Sequence, residues 1–310
     1  MTDTKKIAVL MGGFSSEREI SLKSGRNAIE ALTSFNSYEV EAIDVSREVD
    51  KQIRASFGGR GPDVVFNALH GPYGEDGTVQ GMLEMMGIPY THSGVQSSAL
   101  CMDKARAKKI MSDAGLRVPE GSVVETASLQ GGHPMTAPYV IKPIAEGSTF
   151  GVVIIREETD VAPTAASLDE SMYKGRAIVE TYIPGRELTV ALLGDRPLAV
   201  TEIQAAFYDY EAKYSANAAP HVIPAEIPSD VYDEALAMAK TAGVTLGCRG
   251  LSRVDFRWDP EHGVKGLFIL EVNTQPGMTQ TSLSAEQAQH CGISFAELCQ
   301  WMVEDASCLR

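Results

Sequence analysis

Three oxygen-bearing side chains in the last fifth of the sequence could hold a hard cation. Asp255 lies in an alternating stretch, 251–258, and Glu271 and Asn273 lie in another, 267–273. Side chains on a strand alternate between faces. Arg253 and Asp255 therefore share a face, and Glu271 and Asn273 share one, opposite their apolar neighbours. If the strands pair across the polar turn 259–266 with these faces together, two carboxylates and an amide converge. Adjacent carboxylates repel unless a cation stands between them. Such hard oxygen donors suit Mg²⁺ bridging nucleotide phosphates. The alternative is a polar, solvated sheet face, and the register that would decide is not fixed by sequence.

A second chemical element is Glu146-Gly147-Ser148-Thr149-Phe150-Gly151, which follows Lys142. Glycines let backbone N–H groups approach phosphate oxygens, and Lys142 supplies charge. The P-loop pattern G-x-x-x-x-G-K-[ST] is absent. Strand-like stretches at 139–142 and 151–156 indicate a flap between antiparallel strands, although an ordinary hairpin turn would read the same way. A third element is Gly12-Gly13-Phe14-Ser15-Ser16-Glu17-Arg18-Glu19, where a strand gives way to a helix. Ser16 and Glu19 have capping-box spacing. Glu17 is either a first-turn acid favoured by the helix dipole or a partner for a substrate ammonium. A dinucleotide site fits poorly, because G-x-G-x-x-G is missing and Glu17 would repel a pyrophosphate.

The elements that must position these residues follow from periodicity. Stretches 7–11, 40–45, 64–69 and 88–91 read as strands, with helices over 16–32 and 78–86, a βαβ rhythm that implies a parallel sheet. A helix over 97–114 leads into an α+β unit with strands at 177–181 and 187–193. The stretch 207–228 has little periodicity and carries three tyrosines; loops this long are usually functional or disordered. Helices at 230–242 and 295–305 complete the chain. The expected domains are 1–103, 104–186 and 187–310, an α/β unit followed by two α+β units.

Composition bounds the class. The chain has 310 residues, 44% of them apolar, which suits two or three packed units. Its formal net charge of -14 excludes nucleic acid and anionic lipid as natural partners. A bound polyanion would need local cations, which singles out Lys and Arg beside glycine loops. No stretch approaches the ~20 apolar residues of a membrane span. The five cysteines lack C-x-x-C spacing and read as reduced packing thiols of a cytoplasmic protein.

Five segments together resemble the D-alanine–D-alanine ligases of the ATP-grasp superfamily. They are the Gly12-to-Glu19 motif with Ser21-Leu22 and Ser24-Gly25; Leu69-His70-Gly71 with Gly74-Glu75-Asp76-Gly77; Lys142-Pro143 with Glu146-Gly147-Ser148; Tyr208-Asp209-Tyr210-Glu211-Ala212-Lys213-Tyr214; and Arg253-Val254-Asp255 with Glu271-Val272-Asn273-Thr274-Gln275-Pro276-Gly277-Met278-Thr279. They occur in family order and span nearly the whole chain. Phe150 and Gln275 depart from the smaller residues expected there and could retune flap packing.

The resemblance implies an ATP-grasp fold and an ATP-dependent ligase that joins two D-alanines through an acyl phosphate, for peptidoglycan precursors of the cell wall. It implies that Glu17 holds the ammonium of the first D-alanine and that His70 lies near its carboxylate. Lys104 and Lys142 would contact ATP phosphates; Glu180, Tyr182 and Ile183 would hold adenine, and Glu187 the ribose. Asp255, Glu271 and Asn273 would bind two Mg²⁺, with Mn²⁺ a substitute. Arg253 and the Gly277 backbone would stabilise the oxyanion, and Ser282 and Leu283 would receive the second D-alanine. Lys213 would reach the γ-phosphate. Tyr214, linked to Glu17 and Ser148, would close a mobile loop. D-alanine–D-lactate ligases lack that tyrosine, so its presence favours an amine nucleophile. A homodimer is suggested by the family alone. The alternatives are another ATP-grasp carboxylate–amine ligase and a non-catalytic nucleotide-binding protein.

Overall fold

A computed structural model describes residues 4–147, 150–204 and 220–309. The chain opens with β1 (Lys5–Gly12), α1 (Arg18–Thr33), β2 (Tyr38–Val45), α2 (Val49–Gly59), β3 (Val64–Asn67) and α3 (Thr78–Met86). The three strands form a parallel sheet in the order β2-β1-β3. Parallel strands need covered faces, and α1 covers one with a stripe at Ile20, Ser24, Ala28 and Leu32. Gly25 lets α1 sit close: a Cβ there would stand 2.5 Å from the Met11 Cβ. The Ser16/Glu19 capping box does not form. The helix starts at Arg18, and Glu17 takes the N-cap position with no side-chain cap. Instead the Ser15 hydroxyl accepts from the Glu17 N–H at 3.2 Å and donates to the His70 carbonyl at 2.6 Å. The stretch 88–91 is not a strand; Tyr90 alone makes bridges, to Val65 and Ser307.

The expected single helix 97–114 is two helices, α4 (Val95–Met102) and α5 (Lys104–Asp113). Asp103 leaves the helical conformation and its carboxylate accepts from the Arg106 N–H at 3.0 Å, capping α5. Next come β4 (Gly121–Glu125), β5 (Tyr139–Pro143), β6 (Val153–Ile155), α6 (Glu170–Tyr173) and β7 (Arg176–Thr181). They make an antiparallel four-stranded sheet, β4-β7-β5-β6, with its own core around Tyr139, Ile141, Ile155 and Val179.

The remainder comprises β8 (Arg186–Leu193), β9 (Arg196–Ile203), β10 (His221–Val222), α7 (Ser229–Thr245), β11 (Leu251–Trp258), β12 (Leu267–Asn273), α8 (Leu283–His290) and α9 (Phe295–Asp305). The strands form an antiparallel five-stranded sheet, β10-β9-β8-β11-β12. Strand β10 falls inside the stretch read as a loop; residues 207–219 of that stretch lie outside the described residues. Helix α7 packs Val231, Ala235, Met238 and Ala242 against Leu188, Val190, Val254 and Phe256. Helix α9 closes the fold, burying Leu298, Met302 and Val303 with Ile7 and Val9 of the first sheet and Leu32 of α1. Among the described residues no helix is long and apolar enough to cross a membrane.

Candidate active site

The β11–β12 register sets Asp255 opposite Glu271 and Arg253 opposite Asn273. Directly opposed residues share a sheet face, so all four side chains lie together. Arg253 clamps the Asp255 carboxylate from Nε at 2.8 Å and Nη2 at 2.7 Å, and the Thr189 hydroxyl donates to it at 2.6 Å. Glu271 pairs with Lys104 at 3.1 Å. The Asn273 amide oxygen accepts from the Gln275 N–H at 2.8 Å and keeps a second lone pair. Two carboxylates and an amide oxygen on one face fit a hard divalent cation. Two cationic side chains already balance their charge, and the described residues hold no cluster of three or more His, Cys, Asp or Glu suited to a metal ion. A divalent ion here would complete its coordination with phosphate or water oxygens, as Mg²⁺ commonly does.

This polar face opens on a cavity of about 670 Å³ lined by Glu17, His70, Lys104, Arg253, Glu271, Asn273, Gly277, Ser282 and Leu283, among others. The cavity therefore brings together residues from the loops and helix that follow the strands of the first sheet, from α5 and from the last sheet. Glu17 is buried there between two glycines. A Cβ on Gly71 would stand 3.0 Å from its Oε2, and a Cβ on Gly147 would stand 2.8 Å away. His70 is also buried, with Nε2 3.1 Å from the Ser24 hydroxyl. Burial drives its pKa down to about 4, with the charge of Arg253 adding to the effect and a backbone bond at Gln275 opposing it. The imidazole is thus neutral at neutral pH. Ser282 stands at the N-cap of α8, so the helix's free N–H groups face the cavity from that end.

The remaining candidates lie off this cavity. Lys142 on β5 reaches Glu180 on β7 at 2.6 Å, and Lys108 on α5 bonds the other oxygen of the same carboxylate. All three are buried. Burial raises the Glu180 carboxyl, but Lys142 and Lys108 outweigh it and hold it below its ordinary value. Burial likewise lowers Lys142, yet Glu180 and the more distant Glu271 hold it above its ordinary value. Burial beside charged Lys142 takes Lys108 down to about 7. Beyond Glu180, the chain turns through Tyr182, Ile183 and Gly185. There Arg257 donates to the Ile183 carbonyl at 3.1 Å and to the Gly185 carbonyl at 2.9 Å, and lies 3.8 Å from Glu187. Gly185 has φ +90, and a Cβ there would meet the Trp258 carbonyl at 2.2 Å. Ser148, Lys213 and Tyr214 lie outside the described residues.

Some site residues went unassigned in the sequence. Glu75 lines the cavity, and burial plus the charge of Glu17 lift its carboxyl to about 8. It sat inside a quoted motif, with no spacing to distinguish it from Asp76. Lys108 had a usable signal: it lies one helical turn from Lys104, on the same face. His221 and Glu286 also line the cavity, joined at 2.7 Å. Gln275 is bonded to the end of β3. Its side chain is buried, accepts from the Asn67 amide at 2.8 Å and donates to the Leu69 carbonyl.

Comparison with known proteins accounts for this arrangement. Residues 111–304 match the family model "D-ala D-ala ligase C-terminus", and residues 46–93 match "D-ala D-ala ligase N-terminus". The chain belongs to the D-alanine–D-alanine ligase family. A D-alanine–D-alanine ligase of Methylorubrum populi is 53% identical over 99% of this chain and 100% of its own length. One from Gluconobacter oxydans is 54% identical over 97% and 99%. The crystal structure of a Bacillus anthracis D-alanine–D-alanine ligase complexed with ATP superposes with TM-score 0.79 at 30% identity, covering 97% of each chain. The fold is the ATP-grasp fold of these ligases. The C-terminal family segment carries Lys142, Glu180, Asp255, Glu271 and Asn273, and the N-terminal one carries His70 and Glu75. Glu17 and Lys104 lie outside both segments and are spanned by the full-length ligase relatives.

Proposed function

We propose that this enzyme joins two D-alanines at the expense of ATP, supplying D-alanyl-D-alanine for peptidoglycan. The observation that carries the proposal is the single cavity that unites Glu17, Arg253, Glu271 and the Ser282 helix end. A carboxylate for an ammonium, a guanidinium for an oxyanion and a helix N-terminus for a carboxylate are the complements that two amino acids require.

The first D-alanine docks with its ammonium on Glu17, and its carboxylate attacks the γ-phosphorus of ATP, releasing ADP. Neutral His70 contacts that carboxylate without trapping it as an ion pair. The amine of the second D-alanine then attacks the acyl phosphate. Arg253 and the Gly277 N–H stabilise the oxyanion, phosphate leaves, and the peptide bond remains. Ser282 and Leu283 hold the second carboxylate. Lys104 and Lys142 neutralise ATP phosphates; Glu180, Tyr182 and Ile183 hold adenine, and Glu187 the ribose. Asp255, Glu271 and Asn273 would hold two Mg²⁺ ions, or Mn²⁺, which supply charge neutralisation at the phosphates. The family resemblance adds Lys213 at the γ-phosphate, closure by Tyr214 with Ser148, a homodimer, a cytoplasmic location and domain limits near 103 and 186.

The test is ADP release coupled to product mass. Turnover that depends on D-alanine and not L-alanine, with D-alanyl-D-alanine as product, is expected. ADP release indifferent to D-alanine refutes the proposal. Consumption of ATP with another amine or carboxylate favours a different carboxylate–amine ligase.

A further inference from the structure

Cys101 and Cys248 are 147 residues apart in sequence, yet their sulfurs lie 4.0 Å apart. Cys101 is buried near the end of α4, lines the cavity and precedes Lys104 by three positions. Cys248 sits in the turn between α7 and β11 and is partly exposed. Ser97, one turn before Cys101 on α4, donates its hydroxyl to the Cys248 sulfur at 3.5 Å. The two elements are fixed to each other by a serine side chain and a close backbone approach. The Ser93 hydroxyl donates to the Arg249 carbonyl at 3.2 Å and accepts from its N–H at 3.1 Å. Gly250, at φ +63, leaves only 2.9 Å between a would-be Cβ and His92 Cα.

The pair is chemically asymmetric. The Cys101 thiol hydrogen-bonds to Cys248 and lowers its pKa; burial opposes this, and nearby serine hydroxyls reinforce it. The same bond, with burial, raises Cys101. Cys248 is therefore the more acidic thiol of the two, and the thiolate form is the nucleophile. On the far side of the turn, Gly247 has φ +70 and open space where a Cβ would stand.

We propose that Cys101 and Cys248 are a reversible, peroxide-sensitive thiol pair whose disulfide restrains the helix junction that presents Lys104. The Cys248 thiolate attacks one oxygen of hydrogen peroxide; the O–O bond breaks, and after protonation water leaves, giving Cys248 sulfenic acid. The Cys101 thiol gives up its proton, its sulfur attacks the Cys248 sulfur, and the sulfenic oxygen departs as a second water. Two thiols and one peroxide thus become one disulfide and two waters, the thiols losing two electrons. A disulfide needs sulfurs about 2 Å apart. The closure, roughly 2 Å, is supplied by side-chain rotation and by movement of the turn at Gly247. It pulls on the end of α4, next to the Lys104 ammonium that now bonds the Glu146 carbonyl at 2.6 Å and Glu271 at 3.1 Å.

The test treats the full-length protein with hydrogen peroxide, blocks residual thiols and maps peptides without reduction. A cross-linked Cys101/Cys248 peptide, short by two hydrogens, should appear in step with a rise in the KM for ATP. Dithiothreitol should reverse both. Cys248→Ser should keep basal turnover and lose the peroxide-sensitive phase, while Cys291→Ser retains it. If Cys248→Ser is poorly folded by thermal melting, Cys248→Ala takes its place. The mass readout does not depend on which reaction the enzyme performs, so absence of the cross-link overturns the redox pair whatever the substrate. A cross-link with unchanged KM for ATP, or full peroxide sensitivity in both Cys248 variants, overturns the coupling to Lys104.

Discussion

Lys104 pairs with Glu271 across 3.1 Å, joining the helix that leaves the parallel sheet to the last strand of the five-stranded sheet. The same ammonium bonds the Glu146 carbonyl at 2.6 Å, so it ties the four-stranded-sheet region to the five-stranded sheet at the cavity wall. Lys104→Met removes a charge-assisted contact that is typically worth about 1.5–3 kcal/mol. The expected result is a rise in the KM for ATP of roughly ten- to hundred-fold, with the KM for D-alanine little changed, as steady-state kinetics would show.

Asp255→Asn and Glu271→Gln each remove one charged oxygen donor from the candidate metal face while preserving shape. Turnover should fall on the order of 100-fold or more, the scale for losing one electrostatic stabiliser in a site. The Mg²⁺ concentration for half-maximal rate should rise in both. Unchanged Mg²⁺ dependence would show that the metal is held elsewhere.

Glu180 serves two buried lysines, so the three positions differ in what a substitution strands. Glu180→Gln takes the shared carboxylate from buried Lys142 and Lys108 and should cost about 3–5 kcal/mol in chemical denaturation. Lys108→Met leaves the Glu180–Lys142 pair intact at 2.6 Å and should cost clearly less. The reverse order would mean that Lys108 is the main partner of Glu180.

His70 should titrate near pH 4 in the folded protein, against 6.5 for a free imidazole. Between those values the folded chain binds fewer protons at this site than the unfolded chain. Its contribution to stability is therefore complete above pH 6.5 and is lost as pH falls toward 4. Proton NMR of the ring resonances would check the midpoint, and His70→Asn should flatten the acid limb of the denaturation profile over that window.

Gly147→Ala would place a methyl 2.8 Å from the Glu17 carboxylate. Such overpacking costs about 1–3 kcal/mol, here directed at the candidate ammonium site. The KM for D-alanine should rise roughly five- to hundred-fold, with the melting temperature lowered by only a few degrees.

Local pattern made much of this legible. Alternation placed Asp255 and Glu271 on strands, and glycine-rich stretches marked the flap and the turn before α1. What depends on distant pairing was not legible. Lys108 and Glu180 are separated by 72 residues, and Gln275 and Asn67 by 208, so no local spacing announces either contact. Helix α2 and strand β9 also went unread: α2 is broken where Ser56, Phe57 and Gly58 leave the helical conformation, and β9 is buried along 198–203 and so shows no alternation. The capping box failed for a related reason: the Ser15 hydroxyl bonds to the His70 carbonyl from a loop far along the chain.

Gln275 is sewn by its amide to Asn67 and Leu69, which ties the segment bearing Gly277 to the edge of the parallel sheet. The side of the cavity that carries Glu17 and His70 and the side that carries Glu271 and Asn273 consequently cannot drift apart independently. A lesion at Asn67 should surface less as weak binding of either ligand alone than as lost synergy between them.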